Sequence, residues 1–541
     1  MGRFSFDTIR RVVVGYDKRS TGILLLGMVL LSLLIRIILL TDQPLPQDGT
    51  FYALLGKQLI TGHFVQGLSA YWPPLYPGLI GVFSLAFHDL EVAGRMVSVV
   101  SGSLLVIPVY FLSLTLYEKK TAIWAVLLVV TCPSLILIST EVLVESTYTL
   151  FFITAIYLGL GALEGRHGRY FQAGLAFGAC YLLKPEAIAY AGMMLVLIYV
   201  ARPFKKIPFP QLTLKALGFV LGFTLLAAPY LLYVHQTSHR WIISEKLAHL
   251  SQHDGLAYSW RKLDDSKQGT LADKLWGGRD DIFESSKKGF NVTLGYRDFF
   301  KSMAHGLVPV TTITVKLLPK LLLAFLLLGL VSRRWSREHA SKELFILLFI
   351  ISTLLGYAFI PLYRYLVPLL PLLLCWVAKG IVEFEERFGK AVRTFWKSEF
   401  VTSNVRWAAR AVVIAILLVT TLPPLFAQYR NSESGIYLGQ KRVGTWIREN
   451  SATPHLIMST HNWPTFYAGG THLFTPSEPY AVIIEYAKRK KVDFLVVEER
   501  AIATTPDLGF LLYEVNTAEL NLIFKEDQIP GNKILVYRVV D

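Results

Sequence analysis

The chain alternates between long apolar runs and short polar breaks. Residues 22–40 (GILLLGMVLLSLLIRIILL) carry Arg36 as their one charge, and the run is long enough to cross a hydrocarbon core of about 30 Å. Further runs predict membrane helices at 92–116, 121–138, 146–163, 171–183, 186–201, 214–234, 307–330, 343–360, 365–379 and 408–426, about eleven crossings in all. The first run ends in TDQPLPQDG, without a small-residue cleavage site, so it reads as an uncleaved span and not as a signal peptide. Residues 74–88 (PLYPGLIGVFSLAFH) are apolar but short. With 50–61 (TFYALLGKQLIT), whose apolar spacing is helical, they fit a lipid-interface stretch in a first outer loop at 41–91.

The basic residues orient this pattern. Arg3, Arg10, Arg11, Lys18 and Arg19 precede the first span. Lys119-Lys120, Arg166/Arg169, Arg202/Lys205/Lys206, Arg333/Arg334/Arg337 and the 379–410 segment all fall on that same side. The opposite short loops are poor in Lys and Arg, which puts the N-terminus in the cytoplasm.

Two larger polar pieces lie on the outer side. Residues 235–306, with Trp241, Trp260 and Trp276, are too long for a structureless loop, and short helices over the membrane face are expected there. Residues 427–541 alternate helical patterns (437–450 and 477–490) with strand patterns (455–459, 492–498 and 533–540), as a small α/β domain does. The expected architecture is a polytopic, multi-pass α-helical membrane domain over 1–426 and a small C-terminal α/β domain on the outer side over 427–541.

Composition agrees. The 541 residues are 53% hydrophobic and only 17% charged, against roughly 25% charged in ordinary soluble domains. Mean hydropathy is +0.45. A water-soluble globule and a disordered chain are both excluded. The net charge of +15 does not point to nucleic acid, because the basic runs sit between apolar segments. Cys132, Cys180 and Cys375 all lie in apolar stretches and suggest neither a disulfide framework nor a CxxC metal site.

On this topology one membrane face gathers the polar residues of interest. Asp48 follows the first span. Glu141 and Glu145 begin the fourth, four residues apart and so on one face if the helix is continuous. Lys184 and Glu186 flank Pro185 at an outer turn. Arg364 lies in PLYRYLVPLLP, Arg95 opens the second span, and Tyr71-Trp72 precede Pro73-Pro74. Each has a plainer reading. Asp48 suits a helix cap beside Gly49, the glutamates suit a helix N-terminus, and Lys-Pro-Glu suits a helix end followed by a start. The arginines suit snorkelling, and Tyr71 and Trp72 suit an interfacial belt. Together they are harder to dismiss. Ionisable residues at membrane depth are costly and mark function. Basic residues on the outer side run against the charge rule and invite an anion such as a lipid phosphate. A carboxylate beside that phosphate is placed to take a proton from an attacking hydroxyl.

The motifs Asp48-Gly49-Thr50-Phe51-Tyr52-Ala53, Pro73-Pro74-Leu75-Tyr76, Glu141 to Glu145, Lys184-Pro185-Glu186 and Arg364-Tyr365-Leu366-Val367-Pro368, in that order, resemble the GT-C fold glycosyltransferases. Within that fold the likeness is specifically to the bacterial dolichyl-phosphate-mannose-protein mannosyltransferase-like group that includes the lipid A aminoarabinose transferase. The segment GQKRVGTWIREN (439–450) resembles that group's outer domain, and the likeness covers roughly 25–540. It implies a bacterial inner-membrane protein with a polyprenyl-phosphate-linked sugar donor, a periplasmic active site and a periplasmic C-terminal α/β domain. Asp48 matches the family's catalytic aspartate, Glu145 with Glu141 its second acidic position, and Arg364 a ligand of the donor phosphate. One departure stands out: several relatives carry a Lys before the Pro-Pro pair, where this chain has Trp72. Phosphate binding must then lean on Lys184, Arg364 or Arg95, or the donor head differs.

The expected function is transfer of one sugar from a polyprenyl-phosphate donor to an outward-facing lipid, glycan or protein acceptor, with inversion and Asp48 as general base. Glu145 and Glu141 would orient the acceptor. A divalent cation is left open, with Asp48 and Glu145 as its ligands. Tyr71, Trp72, Tyr76, Glu186 and Tyr365 are the expected sugar and acceptor contacts. The alternative is a polyprenyl-linked glycan transporter or ligase. A mere membrane anchor for the C-terminal domain would not require so many spans.

Overall fold

The computed structural model describes residues 18–540 apart from 167, 201–207, 247–295, 332–336, 359, 396–398, 433–436 and 452–454. The short helices expected over 235–306, the tryptophans at 260 and 276, and the sequon Asn291-Val292-Thr293 fall largely or wholly outside the described residues.

The membrane part is helical throughout. It runs α1 (Lys18–Ile38), α2 (Gln47–Ile60), α3 (Leu75–Phe87), α4 (Leu90–Leu104), α5 (Val106–Leu116), α6 (Lys119–Thr131), α7 (Pro133–Thr140) and α8 (Val144–Leu163). There follow α9 (Arg169–Tyr181), α10 (Ala187–Val200), α11 (Phe209–Ser238), α12 (Tyr296–Leu317), α13 (Leu322–Val331), α14 (Arg337–Gly356), α15 (Leu370–Phe395) and α16 (Glu399–Ser432). Among the described residues, seven helices are long and apolar enough to cross a membrane, or nine if each of two bent pairs counts as one span. The other two of the expected crossings fall on α9 and α10, which have 13 and 14 residues. The run 307–330 is not one straight span: α12 and α13 meet at 108°, with Pro319 at the break, where a helix cannot continue unperturbed. Residues 50–61 and 74–88 are helical, as α2 and α3.

Arg36, the lone charge of the first span, explains itself by packing. It is fully buried against α7, where its Nε donates to the Ser139 hydroxyl at 2.8 Å. Intramembrane charges persist where they find such partners inside the bundle.

The C-terminal domain contains α17 (Leu438–Asn450), β1 (Leu456–Ser459), α18 (Trp463–Ala468), β2 (Thr471–Phe474), α19 (Tyr480–Lys490), β3 (Phe494–Glu498), β4 (Leu520–Glu526) and β5 (Ile534–Val539). The sheet order is β2-β1-β3-β5-β4. The first three strands are parallel and β5 is antiparallel to both its neighbours. Period-2 alternation divides the strand side chains between two faces. Phe494 and Val496 pack with Val443 and Ile447 of α17, while Leu495 and Val497 pack with Ile483, Ile484 and Ala487 of α19. The result is a helix–sheet–helix sandwich, with α18 leading from its β1 end back to the membrane part.

Candidate functional site

The site is assembled from the ends of elements. Asp48 lies in the first turn of α2, where a carboxylate suits the positive end of the helix. Glu145 occupies the corresponding first turn of α8. Lys184 stands in the turn between α9 and α10, before Pro185, where a proline disfavours helix. Arg364 lies in a one-turn helix, Tyr363–Leu366, ahead of α15.

These four side chains form a line of alternating charge. Arg364 Nη2 is 2.7 Å from Asp48 Oδ2 and its Nε is 4.0 Å from Glu145 Oε1; Lys184 Nζ is 3.1 Å from the same Glu145 oxygen. Burial grades along the line. The side chains of Asp48 and Arg364 are each 25% exposed, whereas those of Glu145 and Lys184 are 2% and 3% exposed. The inner pair is out of water and the outer pair is open to a reactant. Among the described residues Glu145 Oε2 has no hydrogen-bond partner, and Lys184 Nζ, engaged only in its ion pair with the other oxygen, keeps unused donors. Buried donors in that state are costly, and an incoming anion would satisfy them.

Aromatic rings wall the line. Lys184 Nζ lies 4.4 Å from the Tyr365 ring centre and 5.4 Å from that of Tyr148, and the Arg364 guanidinium is 5.2 Å from Tyr365. Such contacts stabilise a cation by about 0.5–2 kcal/mol. Tyr71 and Trp72 meet edge to face at 4.7 Å. Glu186 accepts a hydrogen bond from the Tyr357 hydroxyl at 2.6 Å, and Tyr357 stacks on Tyr365.

A third cation enters that the sequence reading passed over. Lys246, from the loop after α11, places its Nζ 5.1 Å from the Trp72 ring and 5.9 Å from Tyr365. Burial works against its charge. The Tyr365, Glu186, Asp48 and Tyr71 side chains more than offset that and hold its pKa above the ordinary lysine value. Trp72, which stands before the Pro-Pro pair, thus carries a lysine on its face. Nothing in a mixed-charge loop marks position 246, and only its neighbours in space do.

Three expectations need correction. Glu141 and Glu145 do not share a helix face. Backbone at Glu141 (φ −99°, ψ 153°) and Leu143 (φ −134°, ψ 141°) is extended, so the helix stops and restarts between them. The charges acting on Glu141 are those of Arg95 and Glu91. Arg95 is not among the phosphate cations. It donates to the carbonyl of Thr140 at 2.9 Å and to that of Gln43, and pairs with Glu91 at 3.0 Å, so it braces the loop between spans. Tyr76 is not a sugar contact: it is fully buried, with its hydroxyl 2.7 Å from that of Ser98 and its ring edge-on to Tyr52. Arg364 already lies between Asp48 and Glu145, the two residues set aside for a divalent cation. Among the described residues no group of three or more His, Cys, Asp or Glu side chains could hold a metal ion.

The break at Glu141–Leu143 has a packing cause. A Cβ on Gly49 would come within 2.7 Å of the Val142 carbonyl, and one on Gly94 within 2.7 Å of the Val142 side chain. Val142 is wedged between α2 and α4 because both lack a side chain there. Gly49→Ala is therefore expected to lower stability by about 1–3 kcal/mol and to push Asp48 away from Glu145, read as a lower melting temperature together with reduced turnover.

Comparison with known proteins follows the same lines. Residues 72–233 match the family model described as dolichyl-phosphate-mannose-protein mannosyltransferase. No curated protein matches the chain. Among solved structures, the chain is similar to ArnT from Cupriavidus metallidurans in two states. For the form bound to undecaprenyl phosphate the TM-score is 0.57, with 14% identity over 95% of this chain and 98% of that one. For the apo form it is 0.59, with 14% identity over 96% and 99%. It is also similar to the archaeal oligosaccharyltransferase AglB from Archaeoglobus fulgidus, solved with an inhibitory peptide and a dolichol-phosphate (TM-score 0.58, 14% identity, 88% of this chain and 69% of that one). From α1 to β5, then, this polytopic chain carries the fold of the GT-C membrane glycosyltransferases that its motifs resemble.

Proposed function

We propose that the protein is a membrane glycosyltransferase that moves one sugar from a polyprenyl-phosphate donor to an acceptor at the outer face of a bacterial inner membrane, with inversion. The observation that carries this reading is the line Asp48–Arg364–Glu145–Lys184, with Lys246 beside it. A similar fold solved with undecaprenyl phosphate and another solved with a dolichol-phosphate support the choice of donor.

In this reading the acceptor hydroxyl attacks the anomeric carbon while its proton passes to the Asp48 carboxylate. The bond from that carbon to the phosphate oxygen breaks on the opposite side. The donor phosphodiester carries one negative charge and the departing phosphate monoester two. Cations that hold the phosphate therefore bind the transition state more tightly than the ground state, which is the condition for catalysis. Arg364, Lys184 and Lys246 are those cations. Glu145, ion-paired to Lys184 and close to Arg364, keeps two of them in place. Glu141 lies apart from the line and is left to the acceptor side. Tyr71, Trp72 and Tyr365 line the space beside these cations where the sugar would lie.

The direct test incubates the purified protein with undecaprenyl-phosphate sugars and measures released undecaprenyl phosphate. A transporter would move the lipid and leave the sugar–phosphate bond intact, and that outcome would overturn the reading. Arg364→Gln and Lys246→Ala are each expected to weaken binding of undecaprenyl phosphate about ten-fold, the size of one charged hydrogen bond. Titration of the detergent-solubilised variants checks this.

A further inference from the structure

The segment that delivers Asp48 to the site, residues 41–46, has no regular structure. Pro44 and Pro46 lack backbone donors, so Leu45 has the one backbone N–H between them. Leu45 is buried, at 1% exposure, and buried backbone groups need partners. Both of its groups find them on α18 of the C-terminal domain. Its N–H donates to the Tyr467 hydroxyl at 3.0 Å and its carbonyl accepts from Trp463 Nε1 at 2.6 Å. Lys441 reaches the Asp42 carbonyl at 3.4 Å and Glu91 at 3.0 Å.

Asn462 completes the contact. It occupies the N-cap position of α18, where an asparagine ordinarily caps its own helix, yet its side chain makes no cap bond. Its amide Nδ2 instead donates at 2.6 Å to the hydroxyl of Thr50, which itself bonds the Gln47 carbonyl at 2.7 Å. Gln47, Asp48, Gly49 and Thr50 make up the first turn of α2. The asparagine is 1% exposed and its Oδ1 lacks a partner. A local capping bond has been given up for a contact 412 residues distant.

We propose that the C-terminal domain is a splint for Asp48, and that Asn462, with Trp463 and Tyr467, is a set of positioning residues that fixes the first turn of α2 against Arg364. This rests on the reading of Asp48 as the general base. The residues touch neither sugar nor phosphate and act only through Thr50 and Leu45. Small misplacements of a reacting group are costly, on the order of 10²-fold per ångström.

The test uses the purified full chain, a panel of undecaprenyl-phosphate pentoses and hexoses, a membrane extract as acceptor, and release of undecaprenyl phosphate as the readout. Asn462→Ala and Thr50→Val should each lower kcat about ten-fold or more, with little change in donor KM. The double variant should be no worse than either single one, because both remove the same link. Thr50→Ser, which keeps the hydroxyl, should behave as wild type. If Asn462→Ala does not fold, Trp463→Phe, which removes the donor to Leu45 and keeps an aromatic ring there, is read in the same way. Normal kcat in Asn462→Ala, or losses that multiply in the double variant, would overturn the splint. Asp48→Asn in the same assay separates the two ideas: activity there removes the base, whereas an inactive Asp48→Asn beside an unaffected Asn462→Ala removes the splint alone.

Discussion

Asp48→Asn is expected to stop sugar transfer while the protein keeps its fold and its affinity for polyprenyl phosphate. Asparagine matches aspartate in shape and still accepts a hydrogen bond from Arg364, now 2.7 Å away. It cannot accept the acceptor's proton. The loss should be about 10²–10⁴-fold in turnover, the usual worth of a positioned base. With its side chain 25% exposed, Asp48 is only partly withdrawn from solvent, so losing its charge should cost little stability, as for exposed ion pairs generally. Turnover and thermal melting measured on one preparation decide the matter. Wild-type turnover in a folded variant would mean that another group takes the proton.

The opposite balance holds at the inner end of the line. Lys184→Met strands the Glu145 carboxylate, 2% exposed, without its ammonium partner. Breaking a buried pair from one side costs about 3–5 kcal/mol, while replacing both partners by apolar side chains is often neutral. Lys184→Met and Glu145→Leu should therefore each depress the melting temperature sharply, and the double variant Lys184→Met/Glu145→Leu should recover most of it. Turnover should not recover, since the phosphate then lacks one cation and Arg364 lacks one counter-ion. A double variant that regained both would reduce the pair to scaffolding.

What the sequence discloses follows from how local each signal is. The apolar runs show themselves, because a span needs nothing but its own length and hydropathy. Strands β1, β3 and β5 were legible as apolar runs in a polar domain. β2 (Thr471–Phe474) and β4 (Leu520–Glu526) are short or interleaved with Asn and Lys, and went unmarked. The break after Glu141 was not legible either. The sequence Glu-Val-Leu-Val-Glu contains no proline or glycine, and the chain is turned there by the glycines of two other elements against Val142. Asp48, Glu145, Lys184 and Arg364 were found because each sits beside a motif residue. Lys246 and Asn462 were not, because the features that single them out are a ring and a hydroxyl supplied by distant segments.

The hydrogen bonds at Leu45 and Thr50 span 412 to 422 positions of the chain. During synthesis the loop ahead of Asp48 emerges long before the residues that secure it. Domains form largely in the order in which they leave the ribosome, so a nascent chain would hold its lipid-facing helices with this loop still untied. Assembly would close the centre only once those later residues arrive.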